Sequence, residues 1–138
     1  MLFFTGTSRF SAELQVAHQA ALQDKKSELI EMARMARQAC ALLEGDGPLD
    51  TFGTMLDRAW QLKRGVTNEI TNSEIDAWYR KAIGAGALGG KLLGAGGGGF
   101  LLFYVQPERQ YAVRAALADL AEIPFSFENG GSRIIMRN

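Results

Sequence analysis

The order of apolar patterns along the 138 residues predicts an α+β fold, with helices laid over a mostly antiparallel sheet. Three observations carry that reading. Strand-length runs of aliphatic and aromatic residues open the chain, flank a glycine-rich stretch and close the chain. Between the opening run and the glycines, apolar residues recur at three- and four-residue steps over several helical lengths. One more helical stretch separates the glycines from the closing runs. The order is thus β, several α, β, β, α, β and a final β. It contains the split β-α-β layout of ferredoxin-like domains, with a helical cluster inserted into the first crossover. One domain spanning residues 1–138, with a core of its own, is expected at this length.

The elements follow in order. A first strand is expected at residues 2–5. Gly6-Thr7-Ser8-Arg9 turns it into a helix that Ser8 caps and that runs through Leu14 and Ala21. A second helix, 27–43, sets Leu29, Met32, Met35, Ala36, Ala39, Leu42 and Leu43 on one stripe. Pro48 suits the start of a third, which carries Leu49, Phe52, Leu56, Ala59, Trp60 and Leu62 and stops at Gly65. Asn72 is a helix cap, with Glu74 and Asp76 in the first turn and Ile75, Trp78, Tyr79 and Ile83 as the apolar stripe. Strands at 88–93 and 99–105 flank the glycines. A helix opening near Pro107 turns Val113, Ala116, Leu117 and Leu120 inward. Strands at 123–127 and 132–136, joined by Asn129-Gly130, close the sheet. Helices are expected over one face of that sheet.

The glycines are the most distinctive letters. Gly94-Ala95-Gly96-Gly97-Gly98-Gly99 concentrates residues that are entropically costly and conformationally permissive, as a sharp turn or a close backbone approach requires. Bare N–H groups in such a loop can cradle a phosphate. Gly94-x-Gly96-x-x-Gly99 matches the dinucleotide-binding spacing in form, but a strand follows where that motif needs a helix. Gly90-Lys91 is followed by Leu92, which excludes a P-loop. A ligand-free glycine hairpin is the competing reading of the same letters.

Hydrophobic residues make up 47% and charged residues 22%, and the net charge is +0. No basic run or basic–aromatic alternation points to nucleic acid, and no apolar segment reaches membrane-spanning length. The one cysteine, Cys40, and the one histidine, His18, give no clustered spacing for a metal and no nucleophile–base pair. A lone cysteine fits a reducing, cytoplasmic compartment, and Cys40 is expected as a small buried hydrophobe. Lys63 and Arg64 suit a helix C-terminus on dipole grounds. Asp57, Glu69 and Asp76 read as surface or cap carboxylates with no catalytic role.

Lys91-Leu92-Leu93-Gly94-Ala95-Gly96-Gly97-Gly98-Gly99-Phe100 resembles the third signature motif of the GHMP kinases, the superfamily of galactokinase, homoserine kinase and mevalonate kinase. Thr5-Gly6-x-Ser8-Arg9, Trp60-x-Leu62-Lys63, Gly86-Ala87-Leu88-Gly89-Gly90-Lys91 and Phe127-Glu128-x-Gly130-Gly131-Ser132 look like D-glycero-D-manno-heptose phosphate kinases. The resemblance spans nearly the whole chain and covers the family's C-terminal domain only. It implies a sugar kinase that uses ATP and Mg2+, with substrate held between this domain and an N-terminal ATP-binding domain. No loop of the Pro-x-Gly-Leu-Gly-Ser-Ser kind occurs in these residues. Catalysis by the chain alone is therefore not expected, and no catalytic residue or metal ligand is assigned. The resemblance places Gly94, Ala95, Gly96, Gly97, Gly98 and Gly99 at the phosphate cleft. Lys91, Ser8, Arg9 and Lys63 are substrate-side candidates. Lys91 is either a phosphate- or sugar-orienting residue or a solvated one, and Arg9 suits bidentate phosphate binding.

Two further expectations follow. An uncovered domain face would drive self-association, with residues 1–5 as an unpaired edge strand. The alternative to the kinase is a stand-alone ligand-binding or regulatory module on the same scaffold, since fold alone does not decide function.

Overall fold

A computed structural model describes residues 1–6, 25–66, 70–94, 96–128, 130, 131 and 136. The described elements are β1 (Leu2–Phe4), α1 (Lys26–Glu44), α2 (Asp50–Arg64), α3 (Ser73–Gly84), β2 (Gly89–Leu93) and β3 (Phe100–Tyr104). A 3-10 turn (Pro107–Arg109) then runs into α4 (Gln110–Ala116), and β4 (Ala121–Glu122) follows. The sheet order is β2-β3-β1-β4, every neighbouring pair antiparallel. β1 and β2 therefore run parallel with β3 between them, and β3 and β4 run parallel with β1 between them. These are the two split β-α-β units predicted from the sequence. The first crossover carries the extra helices α1 and α2.

Strand alternation sorts the side chains. Phe3, Leu92, Leu101 and Phe103 share one face and are buried, because Phe3 and Leu92 both pair with Leu101. α3 covers that face with Ile75, Tyr79 and Ala82, and α4 adds Val113 and Leu117 to the same core. The Phe103 ring lies 6.2 Å from Phe3 and 5.5 Å from Tyr79. Asn72 starts α3 as predicted, its side chain accepting the Ile75 N–H at 2.9 Å.

The helices are not confined to one face. A Cβ added to Gly89 would sit 2.0 Å from the Gly53 carbonyl oxygen, and one added to Gly53 would sit 2.7 Å from the Tyr104 ring. α2 therefore crosses the opposite face at backbone contact with the edge strand β2, which only paired glycines permit. α1 packs on α2. Of its predicted stripe only Met35 is fully buried, while Ala36 and Leu43 are exposed. Cys40 is also exposed on α1, where its thiol meets Glu44 at 3.4 Å, contrary to its expected burial. That carboxylate pushes the thiol pKa up.

Two strand predictions need correction. β1 is an inner strand, paired on both sides, so residues 1–5 offer no free edge for self-association. The strand expected at 123–127 is replaced by β4 at Ala121–Glu122. The Ile123 N–H still reaches Leu2 O at 2.8 Å, but Pro124 has no N–H to continue the ladder. The helix expected through residues 8–21 lies outside the described residues, as does the run at 132–136 apart from Met136. No described helix is long and apolar enough to cross a membrane.

Candidate functional site

The β2–β3 register closes at Leu93–Phe100 and leaves residues 94–99 as the connection. Backbone φ is +91° at Gly94, +122° at Gly96, +72° at Gly97 and +112° at Gly99. Side chains are disfavoured at all of these angles, so the composition of the loop is dictated by its path. Two anchors fix that path. The Gly97 N–H donates to Ile70 O at 3.0 Å, and Gly96 lies so close that a Cβ would stand 3.0 Å from the Ile70 Cα. At the other end the Thr5 hydroxyl accepts the Gly99 N–H and donates to Gly99 O, each at 3.0 Å, while the Thr5 N–H also reaches Gly99 O at 2.9 Å. Thr5 extends β1, so the central strand holds the loop in register.

These anchors refine the expected role of the loop. Gly97 and Gly99 spend their N–H groups on protein acceptors, and Gly96 to Gly98 are buried. Gly94 and Gly96 to Gly99 form a wall of bare backbone pinned at two points, exposed at Gly94 and buried from Gly96 to Gly98. Positive charge beside it comes from lysines. α2 runs alongside β2, with Gly53 and Asp57 over Gly89. Ten residues of helix and five of strand both advance roughly 15 Å, which brings Lys63 level with Gly94. The Lys63 ammonium donates to Gly94 O at 3.1 Å. Burial, and secondarily the Lys91 charge, lower its pKa from the ordinary lysine value. Lys91 stands on β2 and lines a cavity with Met55, Leu56 and Ala59 of α2 and Met32, Met35 and Ala36 of α1.

The neighbouring polar groups are committed elsewhere. Arg64 pairs with Asp76 at 2.8 Å, and the Thr71 hydroxyl donates to the same carboxylate at 2.7 Å, joining the end of α2 to the start of α3. Asp57 accepts the Tyr79 hydroxyl at 2.6 Å and the Gln61 amide at 3.1 Å. The Tyr79 hydroxyl in turn accepts the Gly90 N–H at 3.2 Å and lies 3.1 Å from Gly90 O, covering the outer edge of β2. Burial, then the Asp57 hydrogen bond, raise the Tyr79 pKa. Asp57 and Asp76, expected as surface or cap carboxylates, fasten neighbouring elements, Asp76 from the first turn of α3 as the sequence placed it; Glu69 lies outside the described residues.

The structure thus brings together Gly94, Gly96 to Gly99, Lys63 and Lys91. Ser8, Arg9 and Ala95 lie outside the described residues. Thr5, Ile70 and Tyr79 were not singled out from the sequence as loop or strand supports. Ile70 acts through its backbone, and the Tyr79 hydroxyl is hidden inside an apolar stripe. Thr5 alone had a sequence signal, as a hydroxyl at the end of an apolar run.

The family described as GHMP kinases C terminal matches residues 25–122. The chain is similar to the D-glycero-alpha-D-manno-heptose 7-phosphate kinase of Campylobacter jejuni, 33% identical over 120 residues, covering 85% of this chain and 35% of that protein. In fold it is similar to L. major mevalonate kinase, solved in complex with R-mevalonate. The TM-score is 0.72 at 20% identity, over 86% of this chain and 37% of that one. The chain spans about a third of the length of each of these relatives.

Proposed function

The chain belongs to the GHMP kinases, as a C-terminal domain of that family, and from this premise we propose that it forms one wall of the cleft of an ATP-dependent sugar kinase. The reaction is phosphoryl transfer from ATP to a hydroxyl of a sugar phosphate, a heptose phosphate by likeness to the Campylobacter protein. Residues 1–138 act as the C-terminal domain and work in the cytoplasm with an N-terminal ATP-binding domain. Gly94 to Gly99 line the phosphate end of the cleft. Lys91 and Lys63, with Ser8 and Arg9, stand on the substrate side.

The observation that carries this reading is the anchored glycine wall with a lysine bonded to its exposed turn. A wall without side chains lets a phosphoryl group approach the backbone, and fixed cations offset charge there without reorganising during the reaction. No described residue is placed as a base. No group of three His, Cys, Asp or Glu side chains that could hold a metal ion occurs among the described residues. Phosphoryl transfer is therefore shared with residues beyond those described.

A segment exchange tests the proposal. Replacing the matching segment of the Campylobacter kinase with this chain is expected to give ADP release that depends on both ATP and heptose 7-phosphate. The 138-residue chain alone gives none. A chimera that folds, by circular dichroism and cooperative melting, yet shows no turnover would overturn the proposal.

A further inference from the structure

Lys63 and Lys91 are an unusual pair. Both arise on elements that hold them in place: Lys63 on the last turn of α2, Lys91 in the middle of β2. α2 is locked to β2 by the Gly53–Gly89 contact, so the two lysines cannot drift apart without unpacking the helix. Lys91 faces the same side of β2 as Gly89, the side that carries α2 and Lys63, and its charge acts on Lys63; like charges repel, and partial burial increases the cost. Proteins ordinarily relieve it with a carboxylate. None of the described ion pairs involves either lysine. Among the described residues, Asp57 and Asp76 are held by Tyr79 and Gln61 and by Arg64 and Thr71. Of the three donors on the Lys63 ammonium, one goes to Gly94 O, and no hydrogen bond from the Lys91 ammonium to a described residue is found.

We propose that Lys63 and Lys91, beside the Gly94 turn, bind the phosphate of a phosphate monoester, the group that distinguishes a sugar phosphate from a free sugar. The inference rests on the kinase reading for the identity of the sugar, but the phosphate site stands on its own geometry. A phosphate monoester carries a charge of about −1.5 to −2 at neutral pH, which matches two ammonium groups. Its oxygens accept the donors that Lys63 and Lys91 leave unused, and charge-assisted bonds of this kind are short and strong. Lys63 already fixes Gly94 O, so a phosphate held there also holds the exposed end of the glycine wall. Gly94 itself offers no side chain to block it. The lysines thus anchor the phosphate that is not transferred, and the anchored sugar presents its hydroxyl along the wall.

Amide and lysine side-chain NMR of the isotope-labelled chain reads this directly, with four probes: inorganic phosphate, heptose 7-phosphate, the unphosphorylated heptose, and ATP without metal. Heptose 7-phosphate is expected to give saturable shifts at Lys63, Lys91 and Gly94, inorganic phosphate the same pattern more weakly, and heptose none. Lys63→Ala and Lys91→Ala each weaken binding about tenfold or more, and the arginine variants retain most of it. A spectrum that keeps its dispersion in each variant shows that folding is intact. Saturable shifts elsewhere, or affinity unchanged in both alanine variants, would overturn the proposal. A response to ATP with none to heptose 7-phosphate would overturn the assignment to a monoester.

The same substitutions in the chimera separate this inference from the kinase reading. A rise in KM for heptose 7-phosphate, with a smaller change in kcat and in the KM for ATP, supports the site. Full turnover with an unchanged KM sinks it and leaves the kinase standing. Phosphate bound at both lysines in a chimera that transfers nothing sinks the kinase reading and supports the site.

Discussion

Helices α1 and α2 carry similar apolar stripes and meet different fates. α2 presses its backbone onto β2 at Gly53 and Gly89 and buries Trp60 to 1% exposure. α1 is longer, at 19 residues, yet fully buries only Met35, with Ile30 59% and Leu43 55% exposed. The stripe in each helix announces an apolar face. What decides which face reaches the sheet is the absence of a side chain at one position on each side of the contact. That close approach also delivers Lys63 to the glycine turn. α1 has no such contact and reaches the site only as lining of the cavity beside Lys91.

Filling the contact should break this contrast most severely. In Gly89→Ala the new methyl group would meet two backbone groups of α2, at 2.0 Å from Gly53 O and 2.7 Å from Asp57 N, neither of which can rotate away. A loss of about 4 kcal/mol is expected in urea unfolding, beyond ordinary overpacking because backbone must move. A loss under about 1 kcal/mol would mean that α2 is not held there. Next, Trp60→Ala on α2 should cost about 4 kcal/mol, and Met35→Ala on α1 about 2 kcal/mol, since Met35 already borders a cavity. Equal losses would erase the distinction between the helices. Tyr79→Phe keeps the ring and removes only the hydroxyl that Gly90 and Asp57 share, at a cost of about 1–2 kcal/mol.

The smallest effect is a slope. The folded-state pKa of Lys63 is lowered from 10.5, so between that lowered value and 10.5 the unfolded chain binds more protons than the folded one. Stability should therefore gain from this residue as pH rises through that window. Lys63→Met should remove the gain, as read from unfolding midpoints across the alkaline range. A midpoint that rises equally in both proteins would place the lysine in solvent.

Much of this was legible in the letters because it is local. Asn72 caps α3 for reasons contained within four residues, and the glycines of 94–99 announce a path that side chains resist. The split β-α-β order followed from the sequence of periodicities. The failures were of two kinds. Pro124 interrupts the strand expected at 123–127, a local signal that apolar flanks outweighed. The rest depended on which elements meet. Whether residues 1–5 form an edge, whether Cys40 is covered, and whether Tyr79 spends its hydroxyl on Gly90 are questions of tertiary placement, which periodicity does not encode. The two lysines show the same limit. Each has an ordinary local explanation, and their placement on the same side of β2 is a matter of tertiary packing.

The position of β1 also bears on how the chain reaches its fold. Met1 exchanges both backbone hydrogen bonds with Phe103, a separation of 102 residues, and Phe3 lies between Leu101 and Glu122. Of the described strands, the first in chain order therefore occupies the middle of a sheet whose other members lie at residue 89 and beyond. On the ribosome Leu2–Phe4 leaves the tunnel long before β3 and β4 exist, and its apolar side chains wait without partners. The helices can form as they emerge, but the sheet closes only after residue 122 is made. Such late, long-range closure is slow and leaves intermediates prone to aggregate. The strand that anchors the glycine loop through Thr5 is thus made well before its partners and is among the last to be secured.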